Sequence, residues 1–404
     1  MTFQSLGLSP AVERAMDTAG YQDPTAVQTK TIPTVLKGKD VLVIAQTGTG
    51  KTASFIAPML DLMQAGTSLE SNQVKGLILV PTRELAVQVH QSIIEYGMHS
   101  GLRTGVVYGG VKINPQMMAM RGGAHLLVAT PGRLIDLYNQ NAVKFDQLKI
   151  LVLDEADKML GLGFSDEVNR LVNLLPKRRQ TLMFSATFST EIRHLAGKML
   201  HEPIEITVSS ERVAAIEVDQ WLAPVDKQRK TALLLFLLTN NHWQQTLVFV
   251  NTKKDADRLT KALSAEGIVA AAIHGDKSQA VRLRHLQAFK SGELQVLVGT
   301  DVASRGLDID GLPAVINFDL PKIAEDYVHR IGRTGRANRI GEAVSLVAAD
   351  EFEKLRNIEQ LIQQIIRRGY VDGFSPDQDV PVSQGVPLPR KPKKPKKPKK
   401  PQKS

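Results

Sequence analysis

A glycine-rich segment near the N-terminus contains residue types that bind phosphate: Ala45, Gln46, Thr47, Gly48, Thr49, Gly50, Lys51 and Thr52. It separates an apolar, strand-like run at residues 41–45 from a helical pattern. Glycines let backbone N–H groups approach an anion, and a helix N-terminus adds a favourable dipole. Lys51 can pair with the β- and γ-phosphates, and the Thr52 hydroxyl can ligate Mg²⁺. The segment predicts a nucleotide site, although Ala45 replaces the first glycine of the P-loop pattern and a glycine-rich turn is the alternative.

An acidic segment follows another apolar run, residues 150–153, and reads Asp154-Glu155-Ala156-Asp157. A carboxylate at the C-terminal end of a strand can hold Mg²⁺, and its neighbour can orient or deprotonate the attacking water. Taken alone, the segment is explained more simply as an acidic helix N-terminus. Paired with a phosphate loop about 100 residues upstream, it predicts the second half of a nucleoside triphosphatase site.

Three arginines with three-residue spacing occur much later in the chain, in His329-Arg-Ile-Gly-Arg-Thr-Gly-Arg336. Such a loop can place guanidinium groups on the phosphate charge that develops in a transition state. A solvated basic loop explains any one of these arginines equally well. A catalytic site divided between two domains would couple the nucleotide state to their closure.

Together these segments resemble the DEAD-box RNA helicase family, whose name residues 154–157 spell in one-letter code. The resemblance extends over residues 3–365 and implies ATP and Mg²⁺ as cofactors, with Thr52 and Asp154 holding the metal. An early Gly20-Tyr21 start and a basic C-terminal tail look most like the bacterial RhlE-type branch. The catalytic residues that the resemblance implies are Lys51, Asp154, Glu155, Arg333 and Arg336, the last two reaching the γ-phosphate.

Residues 20–28, with Phe3 upstream, resemble the Q motif that selects adenine. The Gln28 amide can pair with the N6 and N7 edge of adenine, and Phe3 offers a stacking face. By the same resemblance Asp308 contacts the ribose. The residues that we expect to bind the nucleotide, besides those of the glycine-rich segment, are Phe3, Tyr21, Thr25, Gln28 and Asp308.

The remaining motifs resemble RNA-contact and coupling segments of the family. Ser185 and Thr187 look like the motif that couples hydrolysis to unwinding. In the first half of the chain the implied RNA contacts are Pro81, Thr82, Arg83, Gly109, Gly110, Thr130, Pro131, Gly132 and Arg133. In the second half they are Asn251, Gln279, Arg282, Thr300, Asp301 and Arg305. Taken singly, each has a structural explanation, such as a helix cap for Thr130.

The elements that must position these residues alternate apolar, β-branched runs with helical patterns, which is typical of parallel α/β sheets covered on both faces. Residues 77–82 and 126–130 resemble residues 247–252 and 296–300, both at a displacement of 170 residues. This repetition favours two copies of one α/β unit. The candidate strands are residues 41–45, 77–80, 126–130, 150–154, 181–184, 246–250, 269–273, 295–300, 315–319 and 343–347.

The pattern and the repeat predict an α/β fold of two tandem parallel-sheet domains with a disordered basic C-terminal tail, and the resemblance implies that both domains are RecA-like. The expected boundaries are a Q-motif segment at 1–30, an ATP-binding domain at 31–205, a linker at 206–216, a second domain at 217–368 and a Pro/Lys-rich tail at 369–404. The tail is expected to be disordered because it has too few apolar side chains to offset its ordering entropy.

Composition excludes several classes of protein. The chain has no cysteine, so disulfides, thiolate zinc sites, iron–sulfur clusters and cysteine nucleophiles are excluded. Its net charge of +10 is concentrated in residues 390–404, which hold one Arg and eight Lys without an acid. No apolar run approaches the roughly 20 residues of a membrane span, and the N-terminus lacks a signal-peptide pattern. We expect a cytoplasmic protein without a membrane partner.

The expected activity is ATP-dependent, local unwinding of short RNA duplexes, or remodelling of RNA–protein complexes, through closure of two domains. Two alternatives stay open: an RNA clamp or annealing chaperone with ATPase activity, and a DNA-directed helicase. The expected partner is structured or duplex RNA, bound largely independently of sequence, in ribosomal or RNA-decay assemblies, with a monomer as the working unit. The basic tail predicts salt-dependent phosphate contact, with a dispensable, solvated tail as the alternative.

Overall fold

The computed structural model describes residues 2–45, 49–63, 69–208, 218–241, 243–301, 309, 311–335 and 341–384. These residues form two compact units. The first unit contains the described residues up to 208, and the second contains those from 218 onward. No helix in these described ranges combines the length and the apolar character that a membrane crossing needs.

The first unit is built on a seven-stranded parallel sheet with strand order β3-β4-β2-β5-β6-β1-β7. Its strands are β1 (Val41–Ile44), β2 (Val74–Leu79), β3 (Thr104–Val107), β4 (Ala124–Ala129), β5 (Ile150–Leu153), β6 (Gln180–Ser185) and β7 (Ile204–Thr207). Its helices are α1 (Pro10–Thr18), α2 (Ala26–Leu36), α3 (Lys51–Met63), α4 (Arg83–Tyr96), α5 (Ile113–Met120), α6 (Pro131–Asn139), α7 (Ala156–Gly161), α8 (Ser165–Leu174) and α9 (Thr190–Met199).

The second unit contains another seven-stranded parallel sheet, with order β10-β11-β9-β12-β13-β8-β14. Its strands are β8 (Val218–Pro224), β9 (Thr246–Phe249), β10 (Ala270–Ile273), β11 (Val296–Gly299), β12 (Ala314–Asn317), β13 (Gly341–Val347) and β14 (Arg367–Arg368). Its described helices of eight or more residues are α10 (Lys230–Asn240), α11 (Lys253–Ala265), α12 (Gln279–Lys290), α13 (Ala324–Ile331) and α14 (Phe352–Ile362).

The two sheets have the same strand order, which confirms the predicted duplication. Substituting β8 for β1, β9 for β2 and so on converts one order into the other. The two sequence matches at a displacement of 170 residues are β2 with β9 and β4 with β11, which occupy equivalent positions. The predicted parallel α/β class with tandem RecA-like units is therefore confirmed.

Both faces of the first sheet are covered, which explains why its strands are continuously apolar. Along β1, Val41 and Val43 belong to one buried cluster, whereas Leu42 belongs to another. The same alternation holds in β2, where Ile78 and Leu77 belong to opposite clusters. Because every strand is parallel, the carboxyl ends of all strands lie along one edge, where loops can converge on a ligand.

Residues 369–384, which we call the C-terminal strap, pack on the second unit. The second unit therefore extends beyond the predicted boundary at 368. Gly369 N donates to Leu222 O at 2.8 Å, and Val371 and Phe374 pack against the core. Val380 is 4% exposed in a second cluster, and Ser383 bonds Glu359. The strap packs on the second unit because Val371, Phe374 and Val380 contact its buried clusters. The predicted disorder of residues 385–404 concerns a range outside the described residues.

The structure can also be compared with the boundaries predicted near the middle of the chain. Strand β7 ends at Thr207, so the first unit continues past the predicted end at 205. Strands β3, β7, β8 and β14 lie outside the predicted set. Residues 209–217, most of the predicted linker, lie outside the described residues.

Candidate nucleotide site

Five predicted site residues of the first unit lie at or just beyond the carboxyl ends of five strands. Lys51 begins α3 after β1, and Thr82 and Thr130 precede α4 and α6, which follow β2 and β4. Asp154 directly follows β5, and Ser185 is the last residue of β6. The parallel topology thus brings together the segments that the sequence singled out.

Lys51 contacts the first residue of the predicted phosphate loop. Its side chain is 7% exposed, and its Nζ donates to the Ala45 carbonyl oxygen at 2.6 Å. The ammonium group is thereby held at the carboxyl end of β1 (Val41–Ile44), beside the start of the loop. Thr52 follows in the first turn of α3 and is half-buried. Gln46, Thr47 and Gly48 lie outside the described residues.

The Q-motif residues hold the end of the phosphate loop. Thr25 Oγ1 donates to Thr49 O at 2.7 Å, and Gln28 Nε2 donates to Gly50 O at 3.2 Å. Gln28 Oε1 accepts from Thr25 N at 2.8 Å, and its side chain is fully buried. In this structure the Gln28 amide that we expected to pair with adenine bonds the loop backbone instead.

The aromatic residues expected near adenine form a buried chain of edge contacts. Phe3 is 6% exposed and meets the Tyr21 ring at 6.2 Å, with the two planes nearly perpendicular. Tyr21 meets Tyr96 at 5.6 Å, and their hydroxyls lie 2.8 Å apart. Burial, and then the hydrogen bond with Tyr21, raises the pKa of Tyr96. The Phe3 ring is therefore part of the core here, which corrects the expectation of an open stacking face.

The acidic segment begins at a buried carboxylate. Asp154 is 3% exposed, and its Oδ1 accepts from Glu155 N at 2.9 Å. Burial, and after it the charge of Glu155, raises the pKa of Asp154 to about 6, although Lys51 and Lys158 act in the opposite direction. A buried carboxylate of this kind is stabilised by a cation.

The chemistry of Asp154 and Thr52 fits a magnesium ion. Asp154 supplies one carboxylate, and Thr52 is the hydroxyl residue placed in the first turn of α3. Within the described ranges, no cluster of three or more His, Cys, Asp or Glu side chains could form a metal cage. Mg²⁺ is commonly held in such sites by one or two protein oxygens plus phosphates and water.

Glu155 has an unusual backbone and an ion-pair partner. Its φ of 53° lies in the left-handed region, directly before α7. Lys158 Nζ contacts Glu155 Oε1 at 2.6 Å. Among the described residues, no group hydrogen-bonds the buried Glu155 Oε2. Lys158 was missed by sequence reasoning; its three-residue spacing from Glu155 was the available signal.

Asp157, the last acid of the segment, connects α7 to the loop after β6. Its Oδ2 accepts from Ala186 N and Thr187 N, both at 3.0 Å. Ser185 Oγ donates to Thr187 O at 2.8 Å, which closes the loop on itself. The structure therefore joins the acidic segment to the two residues expected to couple hydrolysis to unwinding. Sequence reasoning gave Asp157 no role, although its place in the motif was visible.

Several of the first unit's expected RNA-contact residues have specific neighbours in the structure. Gly110 has a φ of +77°, and a Cβ there would lie 1.9 Å from Arg83 Nη1, so Arg83 packs directly on this glycine. Arg133 is 8% exposed, and its Nη2 donates to Val111 O at 2.8 Å. Thr82 caps α4 by accepting from Leu85 N at 3.3 Å. The others of the set are Pro81 and Gly109 in the loops that follow β2 and β3, Thr130 directly after β4, and Pro131 and Gly132 in the first turn of α6.

In the second unit, Asn251 is fixed by two hydrogen bonds. Its backbone N donates to Asp319 Oδ2 at 2.9 Å, and its Nδ2 donates to Leu320 O at 3.1 Å. Gln279 and Arg282 lie in the first turn of α12 and are buried, and Thr300 follows β11. Arg305 lies outside the described residues.

Asp301 is engaged by the first arginine of the basic segment. Arg330 Nε and Nη2 reach Asp301 Oδ1 and Oδ2 at 2.5 and 2.7 Å. Arg330 Nη1 also donates to Asn317 Oδ1 at 3.1 Å and to Asp319 O at 2.7 Å. This bidentate pair engages both carboxylate oxygens of Asp301, whose role as an RNA contact stays a prediction. Arg333 follows α13 and is 8% exposed, whereas Arg336 and Asp308 lie outside the described residues.

A family model described as DEAD/DEAH box helicase matches residues 25–195. A second, described as helicase conserved C-terminal domain, matches residues 228–338. The chain belongs to the DEAD/DEAH box helicase family. The two matched ranges contain the phosphate loop, the acidic segment and Arg333, so the matches include the sites described above.

Curated relatives include other DEAD-box proteins. The chain is 41% identical over 367 residues to a "DEAD-box ATP-dependent RNA helicase CshA" of Bacillus cereus, covering 91% of this chain and 69% of the relative. It is also 41% identical to a protein of the same name from Geobacillus kaustophilus, of which 78% is covered.

Solved structures of DEAD-box proteins share the fold. S. cerevisiae Dbp5 bound to RNA and ADP BeF3 is 31% identical, with a TM-score of 0.80 over 92% of this chain and 96% of that one. A DEAD box protein from Methanococcus jannaschii is 37% identical, with a TM-score of 0.52 and coverage of 92% and 99%.

Proposed function

We propose that this protein is an ATP-dependent RNA helicase that locally unwinds short RNA duplexes or remodels RNA–protein complexes. The observation that carries the proposal is the bridge from Asp157 to Ala186 N and Thr187 N, because it connects the ATPase carboxylates to a second loop at the same sheet edge. Support also comes from the similarity to Dbp5, whose structure contains RNA and ADP BeF3.

The resemblance to the family gives each residue of the site a task. Lys51 pairs with the β- and γ-phosphates. Asp154 and Thr52 would hold Mg²⁺, which would supply positive charge against the phosphates. Glu155 orients the attacking water and accepts its proton. Arg333 and Arg336 stabilise charge on the γ-phosphate, and Asp308 contacts the ribose. ATP and RNA together close the two units, and hydrolysis reopens them.

We assign RNA binding to the segments that follow β2, β3, β4, β9, β10 and β11, including the first turns of α6 and α12. Their backbone N–H groups and the buried arginines, of which Arg133 is one, suit contacts to phosphates rather than to base edges. Such recognition is largely independent of sequence. Gln28 uses one Nε2 hydrogen and one Oε1 lone pair in its present contacts, so its amide can pair with adenine while keeping them. Phe3 would have to leave its buried contacts, so its adenine role belongs to the nucleotide-bound state.

The finer assignments rest on sequence resemblance. The RhlE-type branch rests on the Gly20-Tyr21 start and the basic tail, whereas the curated relatives above carry the name CshA. A cytoplasmic location, action in ribosomal or RNA-decay assemblies and a monomeric working unit belong to the same proposal.

The test is the steady-state ATPase rate with matched single-stranded RNA and DNA at one salt concentration. Stimulation by RNA alone is expected, because the 2′-hydroxyl distinguishes the two. Glu155→Gln is the control: it should bind ATP without turnover, as expected of a lost general base. Equal stimulation by DNA would favour the DNA-directed alternative. ATP-dependent RNA binding without displacement of a short duplex strand would favour the clamp or annealing alternative.

A further inference from the structure

Lys158 lies against the carboxylate that we assign as the general base. Its Nζ is 2.6 Å from Glu155 Oε1, across the first turn of α7. The side chains are only 8% and 10% exposed. A pair so shielded from water is held more firmly than a surface ion pair, whose geometry solvent and side-chain entropy loosen.

The contact makes the two carboxylate oxygens of Glu155 unequal. Oε1 is taken by Lys158, whereas Oε2 is buried and accepts no hydrogen bond from any described residue. The left-handed φ of 53° at Glu155 fixes where its side chain leaves the backbone. Backbone and ammonium group together therefore define the direction in which Oε2 points.

We propose that Lys158 is a positioning residue for hydrolysis: by holding Oε1, it presents Oε2 as the atom that receives the proton of the attacking water. This inference rests on the proposed function. In the step, the water oxygen bonds the γ-phosphorus while one O–H proton moves to Oε2. The bond from the γ-phosphorus to the bridging oxygen breaks, and its electron pair stays on ADP.

Lys158→Met removes the ammonium group while keeping most of the side chain's bulk. We expect kcat of the RNA-stimulated ATPase to fall roughly 10- to 100-fold, which is the size of effect that about 1 Å of misplacement causes. KM for ATP should change less than about threefold, because Lys158 contacts Glu155 rather than Lys51 or Thr25. Lys158→Arg, which keeps the charge, should restore most of the rate.

Two measurements separate positioning from a purely structural role. In the Glu155→Gln background, which binds ATP without turnover, adding Lys158→Met should leave the dissociation constant for ATP unchanged, because its effect passes through Glu155 and not through ATP binding. The exposed Lys198→Met on α9 of the same unit is the matched control and should keep wild-type kcat. Melting temperature, measured in parallel, reports whether each full-length variant folds.

Several outcomes would overturn the proposal. Unchanged or raised kcat in Lys158→Met would show that the pair does not serve turnover. Loss in Lys158→Arg equal to that in Lys158→Met, with both variants folded, would also contradict it. If Lys158→Met fails to fold, a Lys158→Arg variant that folds with wild-type stability and lacks turnover decides against positioning by charge. A wild-type chain without RNA-stimulated turnover would instead overturn the proposed function, and this role with it.

Discussion

Gly50 contributes to the nucleotide site through both its backbone and its missing side chain. Its φ is +89°, and a Cβ there would lie 2.5 Å from Gln28 Nε2 and 3.0 Å from Thr25 Oγ1. Gly50→Ala therefore adds left-handed strain of about 1–2 kcal/mol and displaces the amide that bonds the loop. We expect the dissociation constant for ATP to rise at least about tenfold, measured with a fluorescent ATP analogue.

Gly38→Ala distinguishes the effect of backbone strain from the effect of displacing the Gln28 amide. Gly38 has a φ of +73°, but no atom lies within 4 Å of the position of its Cβ. This variant acquires similar backbone strain without touching the Q motif, so it should lower stability and leave ATP affinity within about twofold. Equal losses of ATP affinity in the two variants would contradict the role given to the Gln28 contact.

Sequence patterns could place residue types but not their hydrogen-bond partners. Lys51, Asp154 and Ser185 were predictable as neighbours because parallel strands align their carboxyl ends. The bond from Gln28 to Gly50 O and the pair of Arg330 with Asp301 were not predictable. Each depends on how distant segments pack, which residue spacing does not encode.

At the scale of elements, the strands missing from the prediction lie at or beside the edges of the sheets. Strands β3, β7 and β14 occupy edges, and all are short and partly exposed. An edge strand pairs on one side only, so it needs no continuous apolar run and can contain Gly105 or Glu205. Central strands are buried on both faces and therefore need continuous apolar runs, which can be recognised in the sequence.

The C-terminal strap should stabilise the second unit. Phe374 packs on Phe236 at 5.4 Å between ring centroids, and Arg229 lies over the Phe374 ring at 5.2 Å. A chain ending at residue 368 lacks this packing and the burial of Val380. Burial of such side chains contributes about 1.5–3 kcal/mol each, so the unfolding temperature should fall by several degrees.

A chain ending at residue 384 is the matched truncation, and its unfolding temperature should equal that of the full chain. Within the strap, Phe374→Ser should destabilise the protein, whereas Val382→Ser should not, because Val382 is 56% exposed. Thermal unfolding followed by circular dichroism measures the two truncated chains, the two substituted chains and the full chain. Equal unfolding temperatures for chains ending at 368 and 384 would show that the strap contributes no stability.

At the scale of the whole molecule, duplication explains why equivalent residues recur in both units. Thr82 caps α4 by accepting from Leu85 N at 3.3 Å, and Thr252 caps α11 by accepting from Asp255 N at 3.1 Å. The two threonines are 170 residues apart, and each follows an equivalent strand. The same displacement relates Thr130 to Thr300. A repeat visible in the sequence thus predicted where the second set of loops would lie.

Most of the net charge of the molecule lies in one C-terminal segment. Residues 390–404 contain nine basic side chains and no acid, whereas the net charge of the entire chain is +10. The remaining residues therefore carry a net charge of about +1, and non-specific attraction to RNA should come mainly from this segment. Removing residues 390–404 should weaken RNA binding at low salt and flatten its salt dependence. For each phosphate that the shortened chain no longer neutralises, the slope of log K against log salt should decrease by about 0.7 for single strands.

A variant of unchanged length distinguishes the effect of the segment's charge from the effect of its length. In this variant the nine basic residues of segment 390–404 are replaced by glutamine and serine, so the charge is removed and the length is kept. It should match the deletion in salt slope, because counterion release depends on charge and not on chain length. RNA-stimulated kcat at saturating RNA should stay at the wild-type value, since the catalytic residues lie in the two folded units. A salt slope equal to that of the full chain would show that the segment is solvated and dispensable.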